Sequence, residues 1–224
     1  MDMHEYPDAD MLALALAKRL AADLRAALDR RERALFVVPG GSTPGPVFDI
    51  LCDLALDWGR VDLVLSDERW VSGDHPRSNT ALLRGRLMQG KAAAARLIPL
   101  HLDRPAPDAQ AVAALIDGLS AALPVDVALL GMGVDGHTAS LFPGAPELDA
   151  ALADDAPPVM AITAPGQPEQ RVTLTAPVLS GAFVTHLVVT GEDKLDALKA
   201  AKGADPMAQP VARFLGEAQV HWAA

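Results

Sequence analysis

The sequence predicts an α/β fold: an open sheet of buried strands with helices packed against it. Two observations carry this. Ala34–Val38, Val61–Ser66, Val125–Leu130 and Phe183–Thr190 are predominantly apolar runs of strand length, with the look of strands buried on both faces. Between and around them, Asp8–Arg30 and Asp108–Ala122 repeat Leu and Ala at helical spacing. Glycine and proline are plentiful but dispersed, so they punctuate alternating elements and do not form a low-complexity segment. The 224 residues suffice for one domain, taken as 1–224, with a large core.

In chain order, Asp8–Arg30 reads as an amphipathic surface helix, and Ala34–Val38 as a buried strand followed at once by Pro39-Gly40-Gly41-Ser42-Thr43-Pro44. Paired glycines let amides approach an oxyanion closely. Ser42 and Thr43 offer hydroxyls and a cap, and Pro44 suits the first position of a helix running to about Leu56. The result reads as a phosphate cradle, against the plainer reading of an ordinary strand-to-helix turn. Without a Gly-Lys-Ser/Thr ending it is not the P-loop of a nucleoside triphosphatase.

Val61–Ser66 delivers Asp67-Glu68-Arg69-Trp70-Val71 to its carboxyl end. In open α/β sheets ligands sit at that edge, which makes these charges candidates for chemistry against the plainer reading of a solvated cluster. In the following loop Arg77 is either a surface charge or an indirect contact, and Asn79 is placed to cap a helix to about Met88. Residues 96–102 read as a strand ending in His101, a structural histidine.

Val125–Leu130 leads into Gly131-Met132-Gly133-Val134-Asp135-Gly136-His137, and this stretch organises the chain. Three close glycines force a tight exit from the sheet, with His137 on the far side. Thr138 and Ser140 are expected to cap a short helical turn whose amides disfavour a charged imidazole, leaving His137 able to take a proton. Gly131, Gly133 and Gly136 also satisfy a dinucleotide fingerprint, but Asp135 would repel a pyrophosphate and Pro143-Gly144 arrives too soon for the long helix that motif needs.

Val159–Thr163 and Arg171–Thr175 are candidate strands. Phe183–Thr190, closed by Gly191, precedes a helix with Lys194 near its first turn, where a cation opposes the helix dipole unless it faces an anion. Pro210–Leu215 reads as a short helix, and Gln219–Trp222 as a strand closing an edge.

The formal net charge of -10 makes nucleic acid and anionic membranes poor partners without forbidding a small anionic substrate. Cys52 is the only cysteine, which leaves neither an internal disulfide nor a cysteine-based zinc site. Asp2, Glu5, Asp8 and Asp10 precede the first apolar run, unlike a signal peptide.

Gly40–Pro44, Asp67–Val71, Arg77-Ser78-Asn79, Gly131–Gly144, Arg171–Thr175 and Lys194 together resemble the 6-phosphogluconolactonase family, in its order and across nearly the whole chain. The glycine-histidine stretch is the specific part. The resemblance implies a three-layer α/β/α domain with a mostly parallel, Rossmann-like sheet, related to glucosamine-6-phosphate deaminases and ribose-5-phosphate isomerases. It implies hydrolysis of 6-phosphoglucono-1,5-lactone in the oxidative pentose phosphate pathway, with no metal or organic cofactor; a cytoplasmic location and a monomer or weak homo-oligomer are expected beside it. His137 is then the base, Asp67 and Arg69 its catalytic companions, and Gly40, Gly41, Ser42, Thr43, Arg77, Asp135, Arg171 and Lys194 the substrate contacts. Asp67 is expected to hold Arg69 or touch sugar hydroxyls, and Asp135 to shape the turn without touching the ring.

The deaminase branch is the alternative. Arg69 stands where deaminases place a tyrosine, and Leu141-Phe142-Pro143-Gly144 replaces their Phe-Asn-Glu-Pro segment. A non-catalytic sugar-phosphate sensor is a second alternative. It lacks a spare segment for a DNA-binding module and would have no need to keep His137, Asp67 and Arg69 together.

Overall fold

The computed structural model describes residues 1–224. Its elements are β1 (Asp2–Tyr6), α1 (Ala9–Leu28), β2 (Ala34–Val38), α2 (Gly45–Leu51), β3 (Val61–Leu65), β4 (Asp67–Arg69), α3 (Asn79–Arg86), β5 (Arg96–Ile98), α4 (Ala109–Ser120), β6 (Val127–Gly131), α5 (Leu148–Leu152), β7 (Val159–Ile162), β8 (Arg171–Leu174), α6 (Ala176–Ser180), β9 (Val184–Thr190), α7 (Glu192–Ala201) and β10 (Gln219–Ala223). Short 3-10 turns complete it, among them Pro210–Arg213.

Seven strands form a wholly parallel sheet in the order β1-β10-β9-β6-β2-β3-β5. Every residue of β2 and β3 is buried, and since successive side chains point to opposite faces, both faces are covered. α1 packs on β2, β6 and β10, burying Leu12, Leu16, Leu20 and Leu24 at helical spacing. Asp8 caps it by accepting from the Met11 amide at 2.7 Å. The expected α/β class with a mostly parallel sheet is what is found.

Strand order reverses between β2 and β6: the chain proceeds β2-β3-β5 to one side and β6-β9-β10 to the other. Such a reversal opens a crevice at the carboxyl ends of the strands. The four neighbours β9, β6, β2 and β3 send out, in that order, the segments carrying Lys194, His137, Gly40–Thr43 and Asp67.

Several local expectations need correcting. α2 stops at Leu51, not Leu56, because Cys52 and Asp53 turn back on its last carbonyls. Neither Ser42 nor Thr43 caps it, and Pro44 itself occupies the cap position. α3 is capped by the Ser78 hydroxyl, which accepts from Ala81, and not by Asn79. No helix follows His137: a bridge between Thr138 and Leu141, with Ala139 at φ 50, makes a tight turn instead. β10 does not close the sheet, since β1 pairs outside it. Finally, Asp67–Arg69 is not the tail of β3 but a strand of a second, antiparallel sheet in the order β4-β8-β7.

Candidate active site

The crevice holds a pocket of about 260 Å³ lined by Gly40, Gly41, Ser42, Thr43, Asp67, Arg69, His137, Arg171 and Lys194, with Asn79 beside them. The two sheets meet here. β3 and β4 are separated by Ser66 alone, and Ser66 bonds to both: its amide reaches Val38 and its carbonyl accepts from Leu174.

The turn after β2 leaves its amides free. Gly41 has φ 85, a left-handed conformation in which glycine alone is unstrained. None of the amides from Gly40 to Thr43 donates to another protein group. Gly40 is required on its other side: a Cβ there would collide with the Asn79 carboxamide. Lys194 reaches across from α7 to within 3.4 Å of the Thr43 hydroxyl. It meets no carboxylate, and burial pushes its pKa below the ordinary lysine value.

Arg171 is the second unclaimed cation. Its side chain is 8 % exposed, yet none of its guanidinium N–H groups makes a hydrogen bond to protein. Asp67 lies 3.6 Å away as counter-charge, and the Phe142 ring 5.7 Å beneath. Burial lowers its pKa, with Asp67 opposing.

Asp67 therefore holds Arg171, not Arg69, and is itself fixed by the Ser140 hydroxyl at 2.6 Å and the Ser66 hydroxyl at 3.2 Å. Ser140, expected as a cap, is a donor to this carboxylate. Arg69 is aimed by two other acceptors, the Arg77 carbonyl at 2.7 Å and the Asn79 side-chain oxygen at 3.1 Å. Arg77 contributes that carbonyl, while its guanidinium turns away to Glu169 at 2.8 Å and leaves the pocket lining.

Asp135 does touch the ring: its Oδ1 lies 2.5 Å from His137 Nδ1 and accepts from the His137 amide at 3.2 Å. An ionised carboxylate only accepts, so Nδ1 carries a proton, and in the neutral ring the lone pair is on Nε2, which has no protein partner. Gly136 at φ 78 makes the reversal, and Gly133 leaves room for it, since a Cβ there would overlap both the imidazole and Asp135. Thr138 ties the turn back to the Gly131 carbonyl at 2.8 Å. The ring packs on Phe142 with centroids 4.6 Å apart.

Phe142, Asn79 and Ser140 were not singled out as site residues by sequence. Phe142 alone carried a local signal, an aromatic within the glycine-histidine stretch. No group of three or more His, Cys, Asp or Glu is arranged to hold a metal ion. What is assembled is an Asp135-paired histidine beside a turn of free amides, a lysine and two arginines.

The chain matches the family of glucosamine-6-phosphate isomerases/6-phosphogluconolactonase over residues 7–222. It is 40% identical over 223 residues to a 6-phosphogluconolactonase of Pseudomonas putida, covering 98% of this chain and 92% of that protein. To one of Pseudomonas aeruginosa it is 42% identical over 215 residues, 94% of this chain and 90% of the other. A crystal structure of a 6-phosphogluconolactonase from Shewanella baltica OS155 superposes with a TM-score of 0.95 at 34% identity, over 100% of this chain and 98% of that one.

Proposed function

The chain belongs to the glucosamine-6-phosphate isomerase/6-phosphogluconolactonase family, and we infer that it is a lactone hydrolase of the oxidative pentose phosphate pathway. It converts 6-phospho-D-glucono-1,5-lactone to 6-phospho-D-gluconate. The observation that carries the reading is the pairing, across the β2/β6 crevice, of unclaimed phosphate donors with an Asp135-held histidine.

We propose that the phosphate enters the Gly40, Gly41, Ser42 and Thr43 turn and is gripped by Lys194 and Arg171. The unused amides and the fork of Arg171 supply donors, and the ammonium a compact charge. This seating brings C1 of the lactone to His137. Nε2 takes a proton from a water molecule as its oxygen bonds to C1, and the imidazolium is stabilised by Asp135. The tetrahedral oxyanion faces Arg69. Its collapse breaks the bond from C1 to the ring oxygen, which receives the proton from Nε2 and leaves as a hydroxyl; the carboxylic acid then ionises. Asp67 keeps Arg171 in place and does not contact the sugar.

The reading further places one domain, 1–224, in the cytoplasm as a monomer or weak homo-oligomer acting on a small molecule; no helix is long and apolar enough to cross a membrane. The test is hydrolysis of freshly generated 6-phosphogluconolactone, the spontaneous rate subtracted, with glucosamine 6-phosphate assayed in parallel for ammonia. Lactone acceleration without ammonia is expected. Ammonia release would move the chain to the deaminases, and silence in both assays would leave a sensor.

A further inference from the structure

Glu68 stands between two pocket residues, Asp67 and Arg69, but on a strand its side chain points to the opposite face. It is 1% exposed and no cation lies within ion-pair distance. Its carboxylate instead gathers four donors. One oxygen accepts from the amides of Arg69 and Asn79, both at 2.8 Å. The other accepts from the Ser78 hydroxyl at 3.0 Å and the Thr80 amide at 2.7 Å.

Burying a carboxylate without a counter-charge is costly and is offset here by these donors and the amino-terminal end of α3. Helix capping alone does not explain it, because the Ser78 oxygen already accepts from Ala81 at 3.2 Å. What Glu68 adds is a crosslink from β4 to the start of α3, across the base of the 70–78 loop. Of the two acceptors that aim the Arg69 guanidinium, the Asn79 side chain belongs to the segment so pinned and the Arg77 carbonyl lies in the peptide bond to its first residue, Ser78.

We propose that Glu68 is a positioning residue for lactone hydrolysis: by clamping residues 78–80 to β4 it fixes the two acceptors that direct Arg69 at the developing oxyanion. It does not touch substrate. The assignment rests on the reading of Arg69 given above.

The test is a double-mutant cycle of Glu68→Gln with Arg69→Ala, read as kcat and KM for the lactone. Glutamine keeps the shape but sets N–H groups against N–H donors. A misplaced guanidinium is expected to cost kcat roughly tenfold to a hundredfold with KM little changed. In the Arg69→Ala background Glu68→Gln adds no further loss, whereas a general loosening of the fold would act in both backgrounds. Glu68→Asp, which keeps the charge, recovers part of the activity and carries the same cycle should Glu68→Gln fail to fold. Wild-type kcat in folded Glu68→Gln, or the same loss with and without Arg69, overturns the proposal while the lactonase reading stands. A wild-type chain that leaves the lactone untouched removes both.

Discussion

His137 Nδ1 and Asp135 Oδ1 lie 2.5 Å apart, although only Gly136 separates the two residues in sequence. Side chains that close in sequence rarely meet head to head, and here they do because Gly136 reverses the backbone at φ 78 while Gly133 leaves the space that a Cβ would fill. The glycines thus build a carboxylate-imidazole pair from one turn, and Nε2 is left without a protein partner.

Asp135→Asn should keep the turn, since the new side-chain oxygen can still accept the His137 amide, but it removes the charge that stabilises the imidazolium. The expected result is a fall in kcat approaching the roughly hundred- to ten-thousand-fold worth of a positioned base, with KM nearly unchanged. His137→Ala should lose at least as much and still bind 6-phosphogluconate. Adding Asp135→Asn to His137→Ala should then cost little more, because the two act as a unit; independent losses in the double variant would refute the pairing.

Asp67→Asn strips the buried Arg171 of its counter-charge at 3.6 Å. Leaving one member of a buried pair uncompensated typically destabilises a fold by about 3–5 kcal/mol, and the loss should appear as a lower urea midpoint. A phosphate ligand would restore negative charge to the guanidinium, so 6-phosphogluconate should recover more stability in the variant than in the wild type. Equal ligand-induced shifts in both proteins would show that Arg171 does not face the phosphate.

How much of this could be read from the sequence follows the range of the interactions. β2, β3, β6 and β9 were legible because largely buried strands are predominantly apolar, and the His137 turn because its glycines act locally. β1 was missed because Asp-Met-His-Glu-Tyr at a sheet edge has no apolar run to betray it. The second sheet was missed because it joins Asp67–Arg69 to Arg171–Leu174, segments far apart in sequence. For the same reason the partners of Asp67, Arg69 and Glu68 could not be assigned: Arg171, Asn79 and Ser140 reach them only through tertiary packing.

On the proposed seating of the phosphate, Lys194 gives the substrate affinity a pH dependence. Its pKa is lowered by burial, and a bound phosphate, by restoring a counter-charge, raises it again. Between the two values binding takes up a proton, and affinity for 6-phosphogluconate falls as pH rises through the lowered lysine pKa. Titration calorimetry in buffers of different ionisation enthalpy should detect that uptake on the alkaline side. Lys194→Met should bind more weakly and show no such uptake; a variant that retains it would assign the proton elsewhere.

Acid stability should be governed where Tyr6, His221, His186 and Asp23 form a hydrogen-bonded row from β1 through β10 and β9 to α1, with steps of 2.9, 3.0 and 3.0 Å. Asp23 accepts from His186 at one end and closes the row. Burial, reinforced by His186, His4 and Arg19, pushes the pKa of His221 down to about 3 from an ordinary 6.5. The unfolded chain therefore binds a proton that the folded chain refuses, and the contribution of His221 is complete above pH 6.5 and lost as pH falls toward 3. The limiting slope is about 1.4 kcal/mol per pH unit. His221→Gln, which cannot take up that proton, should be less stable at pH 7 yet lose less stability than the wild type between pH 7 and 4.5. Parallel losses in urea unfolding over that range would mean that another group sets the acid limit.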